Sequence, residues 1–168
     1  MKTSWLVLAW IMLVASAVGQ SIPKELWGKW IIRRELPAST ISCWSEKEAK
    51  AILGSEIEYT AKSFRWKDNI EQHATADSAI VTADKFHDEN SGRGSNSSQV
   101  SFGQLGIKKE AAKQVTIKHG LAVAMGAASE VPGEVVLLKS RNAIVFSVCN
   151  VYFEAKRVLP PSPSKEHR

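Results

Sequence analysis

Apolar and polar positions alternate through much of this chain, most clearly in its last third. Residues 135–139, 143–148 and 151–157 are three β-rich runs. They are separated by Ser140-Arg141-Asn142 and by Cys149-Asn150, and both separators suit turns. Residues 27–36 predict a first strand, with Trp30, Ile32 and Arg34 on one face and Ile31, Arg33 and Glu35 on the other. Pro37 ends it. Residues 56–60 and 63–67 predict a tight hairpin, in which Ile57 and Tyr59, then Phe64 and Trp66, fall at alternate positions. Residues 74–82 carry a weaker strand pattern. Residues 100–107 suit a strand or an extended segment, and 114–118 a clearer strand.

One helix interrupts this pattern. Ser45 and Glu48 form a capping box, Ala49, Ile52 and Leu53 make an apolar face, and Gly54 suits the C-terminal cap. Two turns of helix are too short to stand alone, so the segment must lie against the sheet, across one mouth. Residues 84–90 suggest a further turn of helix. Residues 120–133 are rich in Ala and Gly, with Leu121, Val123 and Met125 at alternate positions; a strand with one thin face and an apolar loop fit them equally. Eight or nine short strands with one short helix predict a mainly β chain, an up-and-down antiparallel β-barrel. An α/β fold would need helices between parallel strands.

Residues 1–19 read as a signal peptide. Lys2 supplies the positive start, residues 5–14 the apolar run, and Ala15-Ser16-Ala17 or Ala17-Val18-Gly19 the small residues before a cut. The cut is placed after Gly19, with Ala17 nearly as suitable. No cysteine follows it, which argues against lipid attachment. The apolar run is shorter than the roughly 20 residues a spanning helix needs. The expected location is secreted or periplasmic. About 149 residues then remain, enough for one domain over 20–158, followed by a Pro/Ser-rich tail over 159–168 that cannot pack.

The whole chain carries 22 Lys and Arg against 17 Asp and Glu, for a net charge of +5; losing Lys2 with the leader leaves +4. The basic residues are scattered among acids and form no stripe with interleaved aromatics, so a nucleic-acid surface is not expected. Asn96-Ser97-Ser98, within the Gly- and Ser-rich stretch 91–98, is a glycosylation sequon that matters only in a eukaryotic secretory pathway.

Closure makes two further expectations. In a closed barrel the first and last strands are neighbours, so Trp30 meets Arg157, whose planar guanidinium can stack on the indole. Cys43 follows the first strand and Cys149 precedes the last, which puts both at the opposite rim, where a disulfide can join them. A bridge closing just over 100 residues contributes roughly 4–5 kcal/mol in the chain-entropy account.

Gly28-Lys29-Trp30 and the late Arg157 together resemble the lipocalin, or broader calycin, pattern. The runs 26–32, 45–54 and 152–157 are more specifically similar to uncharacterised exported bacterial lipocalin-like proteins, although the middle of the chain lacks the second and third motifs of typical lipocalins. The resemblance implies a cup-shaped barrel and binding rather than catalysis, with Gly28, Trp30 and Arg157 as structural residues.

No catalytic arrangement is visible. The chain has no Gly-x-Ser-x-Gly elbow, no His-Glu-x-x-His, no phosphate loop and no zinc-type cysteine spacing. His73, His87, His119 and His167 are isolated; Asp84, His87 and Asp88 are only loosely spaced for a metal. Glu56 and Glu58 share a strand face and read as solvent-facing charges. Neither a cofactor nor a metal is expected. The expected function is non-catalytic binding of a small hydrophobic or amphipathic molecule, with Tyr59, Phe64, Trp66 and Phe146 as lining residues. The alternative is an exported protein-binding module, an inhibitor or immunity-type partner acting through rim loops. Oligomeric state is not legible in the sequence.

Overall fold

The computed structural model describes residues 20–37, 43–90, 100–118 and 131–159. Residues 1–19, expected as a signal peptide, the sequon, residues 120–130 and all of the expected tail after Leu159 lie outside the described residues, as do His119 and His167.

The chain is mainly β. Its elements run β1 (Gly28–Leu36), α1 (Glu46–Ala51), β2 (Glu56–Tyr59), β3 (Ser63–Trp66), β4 (Asn69–Gln72), β5 (Thr75–Thr82), α2 (Ala83–Asn90), β6 (Ala111–Lys118), β7 (Val135–Ser140), β8 (Ala143–Val148) and β9 (Val151–Arg157). Nine strands among the described residues form one curled sheet in the order β4-β3-β2-β1-β9-β8-β7-β6-β5. Every neighbouring pair is antiparallel. The first and last strands are therefore neighbours, as closure required.

The two edge strands of this sheet are consecutive in the chain. Since every step from β4 round to β5 reverses direction, the two run the same way, as one stretch broken at His73, whose φ is 61°. The sheet is a curled half-barrel whose two edge strands both belong to residues 69–82. Ala74 N–H donates to the Lys62 carbonyl at 2.9 Å and Ala76 N–H to the Gln20 carbonyl at 2.7 Å, so the N-terminal segment lies beside the start of β5.

Alternation on the strands produces two cores. On the inner face, Trp30, Ile32, Ile57, Tyr59, Phe64, Trp66, Ala76, Val115, Ile117, Val136, Ile144, Phe146, Phe153 and Ala155 pack together. Ile22 and Leu26, before β1, are fully buried in the same core. On the outer face, Leu36, Val81, Ala112, Leu137, Val145 and Tyr152 pack under Phe86 of α2 and under Val100, Phe102, Leu105 and Ile107.

The structure departs from the sequence reading at three places, two of them at this second core. The periodicity placed Arg34 with Trp30 and Ile32, but the β1–β9 register shifts between Ile32 and Arg34. A bulge of this kind reverses the facing of the residues beyond it, so Arg34 pairs with Glu154 on the outer face and Leu36 joins the outer core. Residues 100–107 form turns and no strand; Gln104 accepts from the Ser101 backbone N–H at 2.8 Å and closes the turn that buries their apolar residues. The turn of helix suggested over 84–90 is present as α2. Strand β4, too short and polar to show an alternating apolar face, was not anticipated.

Helix α1 has the expected capping box: the Ser45 side chain accepts from Glu48 N–H and the Glu48 carboxylate accepts from Ser45 N–H at 2.7 Å. Ala49 and Ile52 enter the inner core, so the helix covers part of that face. Leu53, expected on its apolar side, is instead 38% exposed. Gly54 takes φ +83°, as a C-terminal cap requires.

Candidate functional site

The four residues expected to line a ligand site all lie on the inner face, and all are buried: Tyr59 is 1% exposed, Phe64 2%, Trp66 6% and Phe146 2%. Strands β2, β3 and β8 position them. Tyr59 and Phe64 are register partners across the β2–β3 hairpin, with ring centres 5.4 Å apart. Trp66 pairs with Ile57 on the same hairpin. Phe146 and Phe153 are partners on β8 and β9, stacked at 5.7 Å, and Trp44 approaches Phe153 at 6.5 Å. The Tyr59 hydroxyl is a buried polar group in this apolar surface and donates to the Gly133 carbonyl at 2.7 Å. Burial, and then the negative charge of Glu134, push its ionisation well above the ordinary phenol range. Gly133, with φ +91°, approaches so closely that a Cβ there would lie 2.6 Å from the Tyr59 oxygen.

Two ends bound this inner surface. At one, Ile22, Leu26 and Trp27 fill the space under Trp30. Trp27 Nε1–H donates to the Ile22 carbonyl and Trp30 Nε1–H to the Leu26 carbonyl, each at 2.7 Å. Arg157 lies over the Trp30 ring, and its guanidinium also donates to the carbonyls of Trp27, Glu25 and Arg141. Gly28 takes φ +109°, and a Cβ there would touch the guanidinium. Gly28, Trp30 and Arg157 are thus occupied in holding the fold. At the other end, Cys43 and Cys149 are bonded, with Cα atoms 5.1 Å apart. Cys149 and Asn150 both have positive φ, which makes the tight turn between β8 and β9.

The outer face holds a charged group that sequence reasoning missed. Glu154 is 2% exposed, yet its carboxylate meets Lys139 at 2.5 Å, Lys156 at 3.0 Å and Arg34 at 3.4 Å. Burial opposes its ionisation, but Lys139, Lys156 and Arg34 outweigh burial and hold its pKa at about 2. Lys139 Nζ also donates to the Leu105 carbonyl at 2.9 Å, which ties the turn at 102–106 to the sheet. The available signal was a carboxylate inside the apolar run of β9. Lys156 lies two residues on along β9, but Arg34 and Lys139 come from β1 and β7 and could not be paired with it by spacing.

Glu56 and Glu58 pair with Arg65, and Glu56 also with Lys29 at 2.9 Å, so they are occupied as surface ion pairs. Asp84, His87 and Asp88 sit along α2. Among the described residues no group of three or more His, Cys, Asp or Glu side chains is placed to hold a metal ion. No helix among them is long and apolar enough to cross a membrane. The chain matches no protein-family profile, no curated protein and no solved structure.

Proposed function

We propose that this is an exported, non-catalytic binding protein of lipocalin-like type that holds a small apolar or amphipathic molecule against its inner face. The observation that carries the reading is the gathering of Tyr59, Phe64, Trp66 and Phe146 on one concave apolar surface, with a single phenolic hydroxyl among them to orient a polar end. The Gly28–Trp30–Arg157 arrangement supports the lipocalin-like reading. The disulfide is compatible with export and cleavage near Gly19. A ligand would enter by displacing α1 or residues 131–134, which pack against this face. Native mass spectrometry of protein purified from its own host tests this. A bound small molecule is expected, lost on denaturation; bare protein that also takes up no long-chain alcohol or acid would refute it.

A second reading has its own support. Ile70 and Ile80 lie on the two edge strands β4 and β5 and are 55% and 66% exposed. Exposed apolar residues on sheet edges suit a protein-binding module. A single stoichiometric partner recovered by pull-down, weakened by Ile80→Lys, would favour it.

A further inference from the structure

We infer that Gln20 is a modification site, at which the amino terminus exposed by leader removal cyclises to pyroglutamate. The inference rests on the export reading above. Ala17 and Gly19 are the small residues that a cut before Gln20 requires. Among the described residues, the pairing of the domain starts at this position. The Gln20 carbonyl accepts from Ala76 N–H at 2.7 Å, Ile22 N–H donates to the Ala61 carbonyl at 3.1 Å, and the Ile22 side chain is 1% exposed. The bond before Gln20 is thus the last at which a cut leaves this anchoring whole.

Once that bond is cut, Gln20 carries a free amine and its side-chain amide on the same residue. Gln20 is exposed, so nothing buries the amide away from the amine. The amine nitrogen attacks the side-chain Cδ, a lactam C–N bond forms, the bond from Cδ to the amide nitrogen breaks, and ammonia leaves with a proton from the attacking amine. No oxidant or cofactor enters. The backbone carbonyl is not consumed, so the bridge to Ala76 survives. The product has lost its terminal ammonium and offers no free amine to an aminopeptidase.

The test is the intact mass of the reduced protein, expressed as the full precursor and purified after secretion. The expected mass is that of residues 20–168 less one ammonia, and stepwise N-terminal sequencing is expected to be blocked until a pyroglutamyl aminopeptidase is added. Gln20→Ala should secrete equally and read Ala-Ser-Ile-Pro without that treatment. A chain that begins at Gln20 with its amide intact, or one that begins at Val18, overturns the inference and leaves export standing. A chain that retains its leader overturns both.

Discussion

Arg157 and Trp30 are direct partners in the β1–β9 ladder, and the guanidinium carbon lies 4.2 Å from the centre of the indole. The same guanidinium donates to three backbone carbonyls, so it covers the ring and also anchors the segment before β1. Arg157→Ala should lower stability by about 1–3 kcal/mol in chemical denaturation. Arg157→Lys should recover only part, because an ammonium can neither stack as a plane nor reach three acceptors in one geometry. Retention of any bound ligand should be unchanged in both variants. Ligand loss with unaltered stability would place the binding surface at this end.

The Cys43–Cys149 bridge spans 106 residues of sequence. Its removal should cost up to about 4–5 kcal/mol, chiefly by freeing the unfolded chain. Cys43→Ser with Cys149→Ser should shift the denaturation midpoint accordingly. In the native wild-type protein, alkylation before reduction should label neither cysteine.

Glu154 sets an acid limit on stability. Its carboxyl is held at about 2 in the folded chain, below its ordinary value of 4.5. The folded state therefore favours the ionised form, and the stabilisation is complete above the unfolded pKa. It is lost as pH falls through about 4 towards 2, and amounts to about 3 kcal/mol in all. Glu154→Gln should destabilise the protein at neutral pH, since Lys139 would lose its buried counter-charge, and should flatten the acid slope of stability. An unchanged slope in that variant would assign the acid sensitivity to other carboxylates.

Gly133→Ala should destabilise by about 1–3 kcal/mol, because it puts a Cβ against Tyr59 and Ile57 at a φ that favours glycine. In a Tyr59→Phe background the same substitution should cost less, since the nearest clashing atom is gone. Additive costs in the double-mutant cycle would show that the Tyr59 contact contributes nothing, leaving backbone strain and the Ile57 contact to carry the effect.

Much of this protein was legible in its sequence because the information was local. The strands β7, β8 and β9, the β2–β3 hairpin and the capped helix α1 each arise from alternation, turn residues or a capping box within about ten residues. The pairings of Trp30 with Arg157 and of Cys43 with Cys149 were accessible because an up-and-down meander was expected to bring its first and last strands side by side, as β1 and β9 are. Tertiary structure alone decided the rest. The bulge after Ile32 has no local signature, yet it turns Arg34 outward to Glu154 and Leu36 into a second core. Residues 100–107 alternate like a strand, but their burial beside Phe86 is satisfied by turns, because they cover the back of the sheet. Glu154 reads as an ordinary strand residue until β1 and β7 bring cations to it. Alternation states that a residue faces one side; only the assembled sheet determines which groups it meets there.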